Sequence, residues 1–485
     1  MAASLALIFV VLFLLISTRL YTNWRSLSKA PGPILAGCTD FWRAYQQYNG
    51  KLRHKLLELH SRHGPIVRYG VRSISISDPE AISVIYGSRD GFTIADSYKV
   101  VVGIKDGKEV PSLISSDDAL HGAMRRSVAN AFTAAAALDY EKAIDATIGE
   151  LLEVMSRKND LDLTSMLLWY SIDAAGRFSF SKPVGCLQAE EDVGGSIELI
   201  RERFKHWGRW SSLPQLERLV CRNPITIRRT QVASSIVALA VTKLKERASQ
   251  PKNEAGNTDL LQKFLESSRD HPQTLDTAGI IGILMATISA AGDTTAAMTT
   301  IIIYSLLANP DSLKKLEDEL SQADLPEIPE FSQVNRLPYL NAVIKENMRL
   351  YSLAPWPMER LVPSGGATIA GMFFPEGTSV GCFSQAVHQS VETFGEDASV
   401  YRPERWLTSN REQLRRMEAA HLGFSRGRRN CIGQHIAMLQ MKKVIPALVM
   451  KFKMSLVDPE ASLDADYSLA IPTLKPVYIT SQPRC

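Results

Sequence analysis

Between residues 276 and 309 nearly every position is apolar or small, and the run ends only where Pro310 can no longer continue a helix. A helix of that length spans roughly 45 Å and shows no polar face, so it is buried on all sides, in the middle of a protein or in a bilayer. Asp293 and the threonines 294, 295, 299 and 300 lie in its middle. In lipid they would be costly, which favours the protein interior over a second membrane span.

The flanking sequence supplies cover for such a helix. Helical periodicity dominates from about 117 to 320, with the clearest stretches at 119–132, 139–155, 166–178, 232–247 and 259–268. Strand-like runs are few and short. Residues 66–69 and 74–77 flank Gly70 as a hairpin, Asp78-Pro79-Glu80 opens a short helix, and 365–380 alternates strands with turns at Gly371 and Gly377. The expected fold class is mainly α, a large helical domain with a small β-rich region. No repeat or low-complexity linker interrupts the chain after residue 33, so 34–485 reads as one domain.

With 45% hydrophobic and 22% charged residues, the 485-residue chain is neither disordered nor collagen-like. Its formal charge of +4 is too mild for a nucleic-acid partner. Six cysteines at 38, 186, 221, 382, 431 and 485 form no C-x-x-C and suggest reduced thiols rather than a disulfide framework. Residues 1–18 carry no charged side chain, and Arg19, Arg25 and Lys29 follow them. A cleaved secretory signal would place its basic residues first, so 1–18 reads as a retained single-pass anchor, with the N-terminus lumenal and the body cytosolic. Residues 19–33 form a basic Pro/Gly hinge ending in Ala30-Pro31-Gly32-Pro33.

One short segment carries chemistry: Phe424-Ser-Arg-Gly427-Arg-Arg429-Asn-Cys431-Ile-Gly433. It resembles the cysteine-ligand loop of the haem-thiolate monooxygenases, the cytochrome P450 family, whose pattern F-x-x-G-x-R-x-C-x-G it matches at every fixed position. After Cys431 the apolar residues Ile432, Ile436 and Leu439 recur at helical spacing. The thiol is therefore expected at a helix N-terminus, where the macrodipole and free N–H groups favour a thiolate. Gly427 and Gly433 would let backbone approach a flat ligand, Phe424 would pack on it, and Arg429 would supply a cation for a carboxylate. A buried structural cysteine, the alternative, leaves the two glycines and the arginine without a purpose.

Further segments follow in the family's order. Glu346 and Arg349 share a helix face, and Arg405 follows in Pro403-Glu-Arg-Trp406. They resemble the family's buried Glu-Arg-Arg triad, with Trp406 where Phe is commoner, and are expected to hold the cysteine loop rather than to react. The same E-x-x-R spacing at 198/201, 266/269 and 412/415 reads as solvated helix pairs. Ala290-Ala-Gly-Asp293-Thr294-Thr resembles the oxygen-binding stretch, with Ala291 at the usual glycine position. Its small residues would leave room against a macrocycle, and a Thr hydroxyl can bond a carbonyl one turn back. His121 and Arg125 resemble a W-x-x-x-R pair with His in place of Trp, and Arg360 resembles a third propionate-binding residue.

The resemblance implies haem b, with iron held by the Cys431 thiolate as axial ligand and with His121, Arg125, Arg360, Phe424, Gly427, Arg429 and Gly433 around the cofactor. It implies Asp293 and Thr294 as the catalytic pair that delivers protons for O2 activation, a lipophilic small-molecule substrate, and the endoplasmic reticulum membrane. Because no G-x-G-x-x-G fingerprint or flavin domain is present, electrons would come from an NADPH-dependent flavoprotein reductase. Thr39-Asp-Phe-Trp-Arg43 and the 403–407 segment look like fungal microsomal members near pisatin demethylase, which suggests specialised-metabolite biosynthesis. A peroxide-rearranging haem-thiolate enzyme, and a haem sensor or membrane-tethered scaffold, are the other classes. By position, the substrate walls would be 98–116, Ala286, Ala290, 352–358 with Trp356, and Ile471-Pro472.

Overall fold

The structure, a computed structural model, describes residues 2–87, 91–105, 108–109, 112–114, 117–222, 235–249 and 258–484. The apolar run is one unbroken helix, Thr277–Leu307, started by Asp276, whose Oδ1 accepts from the Gly279 N–H at 2.7 Å. Leu163–Phe180 packs along it, and Ser235–Ser249, Leu260–Asp270, Pro338–Leu350 and Gln434–Lys451 cover other sides. Ile280, Ile283, Leu284, Ile288 and Ile301 to Ile303 are buried by these neighbours. Each such side chain contributes about 1.5–3 kcal/mol, so protein and not lipid is the solvent of this helix.

The other expected helices appear with shifted ends: Asp118–Val128 followed by a tighter 3-10 turn Ala129–Phe132, Glu141–Ser156, Leu163–Phe180, and Leu260–Asp270 capped by Asp259. Residues 232–234 of the expected 232–247 helix, and parts of the 98–116 wall, lie outside the described residues. The β-rich region holds a five-stranded sheet in the order Ile66–Arg68, Ser73–Ile76, Ser379–Cys382, Arg360–Leu361, Thr93–Ile94. Only the pairing of Ser73–Ile76 with Ser379–Cys382 is parallel. In this register Val380 stands opposite Ile74 on one side and Arg360 on the other, which carries Arg360 toward the site.

Ala2–Ser26 is one exposed helix, and its Ser4–Ser26 stretch is long and apolar enough to cross a bilayer. It runs past residue 18, so Arg19 and Arg25 are helical and the chain bends only after Ser26. Its last carbonyls meet Arg68, which donates to Trp24 O at 2.6 Å and Asn23 O at 2.7 Å. A buried ion pair that the sequence did not announce joins Arg43 Nη1 to Glu359 Oε1 at 2.8 Å, with Tyr69 OH donating to the same oxygen at 2.7 Å. It anchors the residue next to Arg360.

Candidate active site

The cysteine loop closes where the Cys431 N–H donates to Phe424 O at 2.9 Å. Gly427 turns it with φ +73°, and a Cβ there would stand 1.7 Å from Tyr86 O. The left-handed turn and Tyr86 therefore demand glycine here by themselves, a constraint that comes in addition to the close approach of a flat ligand expected from the sequence. Gly433 differs: it precedes the helix Gln434–Lys451, and a Cβ there would meet no heavy atom within 4 Å. Cys431 sits just before that helix. The Gly433 N–H and Arg125 favour its thiolate, but burial outweighs both and pushes the thiol's pKa up. The thiolate expected from the helix terminus is thus not favoured by the protein alone; a metal ion on sulfur would supply the missing stabilisation. Cys431 is nonetheless accessible to solvent, and so is Ala290 in the middle of the long helix. A group that is desolvated yet accessible lines an internal cavity.

Glu346 and Arg349 are completely buried, and the carboxylate is fully used. Arg349 Nε and Nη2 donate to its two oxygens at 2.9 and 2.7 Å, and Arg405 Nε donates to Oε1 at 3.0 Å. Trp406 Nε1 adds a bond to Oε2 at 2.9 Å, which gives a physical use to the Trp in place of Phe. The triad reaches the cysteine loop through a residue missed in the sequence, His388. Its Nδ1 lies 2.8 Å from Arg349 O, and its Nε2 accepts from the Leu422 N–H at 2.9 Å. Burial holds this ring well below its ordinary pKa, so it is neutral with the proton on Nδ1. An isolated His offers no sequence signal for such a bridge.

On the long helix, Thr294 Oγ1 donates to Ala290 O at 2.6 Å. The helix continues through this back-bond without a break. Gly292 faces away from the cavity, because a Cβ there would meet Ile172 Cδ1 at 2.3 Å; its small size serves helix packing, not a macrocycle. Asp293 Oδ2 is buried without a hydrogen-bond partner among the described residues. Burial pushes its pKa up to about 6, against a downward pull from the Arg201 guanidinium. Arg201 is thus not the solvated partner of Glu198 that the spacing suggested: no ion pair joins them, and Arg201 Nε is itself buried and unpartnered.

With the cysteine loop, the Glu-Arg-Arg triad and the acid–alcohol pair placed in the fold, the family model for cytochrome P450 matches residues 38–479. The chain belongs to the cytochrome P450 family. It is 33% identical to a cytochrome P450 monooxygenase of Aspergillus terreus over 90% of this chain and 92% of that protein. It is 32% identical to pisatin demethylase of Fusarium vanettenii over 88% and 83% of the two chains. The similarity to cytochrome P450 monooxygenase mpaDE of Penicillium roqueforti, also 32%, covers 90% of this chain but 53% of that longer protein. This P450 is an oxidoreductase, a haem-dependent monooxygenase with a cysteine thiolate as axial ligand.

The residues present fit a haem. Gly433 leaves open space beside the thiol, and the surrounding cations outnumber the carboxylates. Arg429 donates to Asp118 Oδ1 at 2.9 and 2.6 Å, with Arg428 on Oδ2 at 3.1 Å. Arg125 reaches Asn430 O at 2.8 Å and Arg360 reaches Glu359 O at 2.9 Å, so both hold neutral acceptors that a carboxylate would better. His121 adds no cation to these: burial, then Arg429 and Arg125, push its pKa down to about 4, leaving it neutral. Phe424 is half-buried against the main core. Of the expected substrate walls, Trp356 is buried and meets a residue absent from the sequence reading, Trp207, whose ring centroid is 6.4 Å away; Tyr98 lies 5.4 Å from Trp207 on another side.

Proposed function

We propose that this P450 is a membrane-anchored monooxygenase that inserts one oxygen atom of O2 into a lipophilic small molecule in specialised metabolism. The observation that carries the reading is the accessible yet desolvated Cys431 in one chain with the half-buried acid–alcohol pair Asp293-Thr294, whose Asp293 Oδ2 is buried without a partner among the described residues. Haem b would be held by Cys431, with Gly433 and Phe424 alongside and Arg125, Arg360, Arg429 and neutral His121 around its propionates. When bound, the haem supplies oxygen activation and atom transfer, and its thiolate ligand favours O–O cleavage.

The chain's own residues supply protons, placement and a dry site. Asp293, with its pKa near 6, holds a proton at Oδ2 through part of the neutral range and releases it readily, as a proton donor should. The Thr294 hydroxyl spends its proton on Ala290 O, which leaves its lone pairs to order a water beside Asp293. A peroxide-rearranging enzyme has no use for such a pair. Electrons would come from an NADPH-dependent flavoprotein reductase, docked where Arg426 and Arg428 are exposed on the outer face of the cysteine loop. The exposed Ser4–Ser26 helix supports an anchor in the endoplasmic reticulum membrane, with the catalytic domain cytosolic. The similarity to pisatin demethylase and to mpaDE supports a specialised metabolite as substrate.

A carbon monoxide difference spectrum of the reduced protein tests the core of this reading. The native protein and Cys186→Ser should give the red-shifted Soret band of a thiolate-ligated haem, and Cys431→Ser should not. Survival of the band in Cys431→Ser would overturn the assignment. Product analysis with microsomes containing the protein and a reductase then identifies the substrate.

A further inference from the structure

Two short helices near the N-terminal anchor are packed inside out. In Phe41–Tyr48 the polar Arg43 and Gln47 point inward, 4% and 1% exposed, while Phe41, Tyr45 and Tyr48 are 62%, 63% and 60% exposed. In Pro214–Val220 the buried residue is Glu217, and Leu219 is 72% exposed. Arg43 and Glu217 find ion-pair partners inside, which accounts for the polar sides. In water the aromatic and aliphatic sides would gain nothing from facing out. The two helices are neighbours, because Ser196–Trp210 packs against each of them, with Arg209 over the Tyr48 ring at 5.4 Å. On its other side Phe41–Tyr48 meets Ile34–Cys38, where Ile34 and Leu35 are exposed too, and that helix packs on the anchor.

Arg68 fixes the level of this surface. Its guanidinium is buried and forms no ion pair among the described residues. It donates instead to Trp24 O at 2.6 Å, Asn23 O at 2.7 Å, Gly37 O at 3.1 Å and Val71 O at 2.6 Å. Asn23 Nδ2 returns a bond to Cys38 O at 2.9 Å. Just past the anchor, Leu27 and Ala30 are buried in one cluster with Ile66 and Ile74, and Arg68 N donates to Pro31 O at 2.7 Å. The residues after the anchor thus form a packed joint. It holds Ile34–Cys38 level with Asn23 and Trp24, which lie between Arg19 and Arg25 at the basic end of the anchor, the end that meets lipid headgroups. Tyr and Trp side chains favour that depth, and Tyr21, Trp24, Tyr45 and Tyr48 are exposed there.

We propose that the catalytic domain rests on the membrane in one fixed pose: Phe41–Tyr48 and Pro214–Val220 lie in the headgroup region of the bilayer, and Arg68 is the positioning residue that locks the domain to the anchor at that angle. The proposal rests on the reading of Ser4–Ser26 as a membrane anchor. The surface is small and its tyrosines stay at headgroup depth, so it orients the domain while the anchor holds it.

Full-length protein in vesicles of phosphatidylcholine and phosphatidylserine tests it, with a carbene-generating group on a lipid headgroup and labelled peptides located by mass spectrometry. Residues 41–48 and 214–220 should be labelled. Val400 and Leu407, also exposed but on the segment beside Arg405, should not. Arg68→Ala should free the domain to swing, lowering the labelling of both helices threefold or more relative to the anchor, with Arg68→Lys in between because an ammonium cannot span the four oxygens. If Arg68→Ala does not fold, as judged by circular dichroism, Tyr45→Glu with Leu219→Glu decides: both positions are exposed, and the pair should lower the labelling at Phe41 and Tyr48 by a similar factor. A labelled anchor with both helices unlabelled overturns the proposal, and a second copy covering this face would give that result. Equal labelling of Val400 and Leu407, or unchanged labelling in the folded variants, overturns it as well. An unlabelled Ser4–Ser26 would overturn the anchor reading, and the proposal with it.

Discussion

His388→Phe isolates the link between the triad and the thiolate loop. The phenyl ring keeps the volume of the site, including the stack on His421 at 5.4 Å and the edge contact with Phe394 at 6.1 Å. It removes the acceptor of the Leu422 N–H and the donor to Arg349 O, a carbonyl in the last turn of Pro338–Leu350 where no helical partner exists. Each stranded buried backbone group costs about 1–3 kcal/mol, so the variant should lose about 2–6 kcal/mol, concentrated on the loop that carries Cys431. The assay is the rate at which the thiolate-type carbon monoxide spectrum decays in mild urea, with urea unfolding followed in parallel by tryptophan fluorescence. A tenfold faster decay corresponds to about 1.4 kcal/mol and is the least expected. His388→Gln, which can donate and accept, should recover part of the loss. A pH signature accompanies it. The folded pKa of His388 is depressed, so its contribution is present above about pH 6.5 and is lost as unfolded chains gain the proton below that pH. His388→Phe should show a shallower acid loss than native protein. Native decay rates and an unchanged acid slope in His388→Phe would refute the bridge.

Gly433→Ala places a methyl group in open space, so it should leave the apoprotein's stability within about 1 kcal/mol while lowering the haem-to-protein ratio. Gly427→Ala should instead disrupt the loop itself, because its Cβ collides with Tyr86 O; near-native stability would contradict this geometry. Thr294→Ala should keep haem but lower product formed per NADPH consumed, since the group ordering the proton donor is gone; an unchanged ratio would mean protons arrive elsewhere. Asp293→Asn should stabilise the protein by up to about 3 kcal/mol above pH 6, the cost of ionising a carboxylate whose folded pKa is raised, with the gain fading toward pH 4; urea midpoints across that range check the sign. Deleting residues 1–26 should release protein from microsomal membranes with haem binding intact, as sedimentation and the carbon monoxide spectrum would show; loss of haem would mean that the helix supports the domain.

Much of the site was legible because its signals are local. The loop 424–433 keeps its fixed residues within ten positions, and a buried helix announces itself when 31 consecutive residues lack a polar face. The Glu346-Arg349 spacing was read as meaningful among several identical spacings only by its order in the chain, and the structure shows it buried where 412/415 is exposed. Helix ends moved by a few residues where capping, as by Asp259, competed with periodicity.

What the sequence by itself determined, then, was element type, the cysteine loop and the order of the motifs, all carried by short-range patterns of residue and spacing. Only the tertiary structure decided what each group faces. It turned Gly292 toward Ile172, put Gly427 against Tyr86, pushed the pKa of His121 down to about 4, and pushed that of the Cys431 thiol up by burial. It also joined His388 to Leu422 and left Asp293 Oδ2 buried without a hydrogen-bond partner among the described residues. Charge state and partnership depend on desolvation and on neighbours distant in the chain, and neither is encoded in any local run of residues.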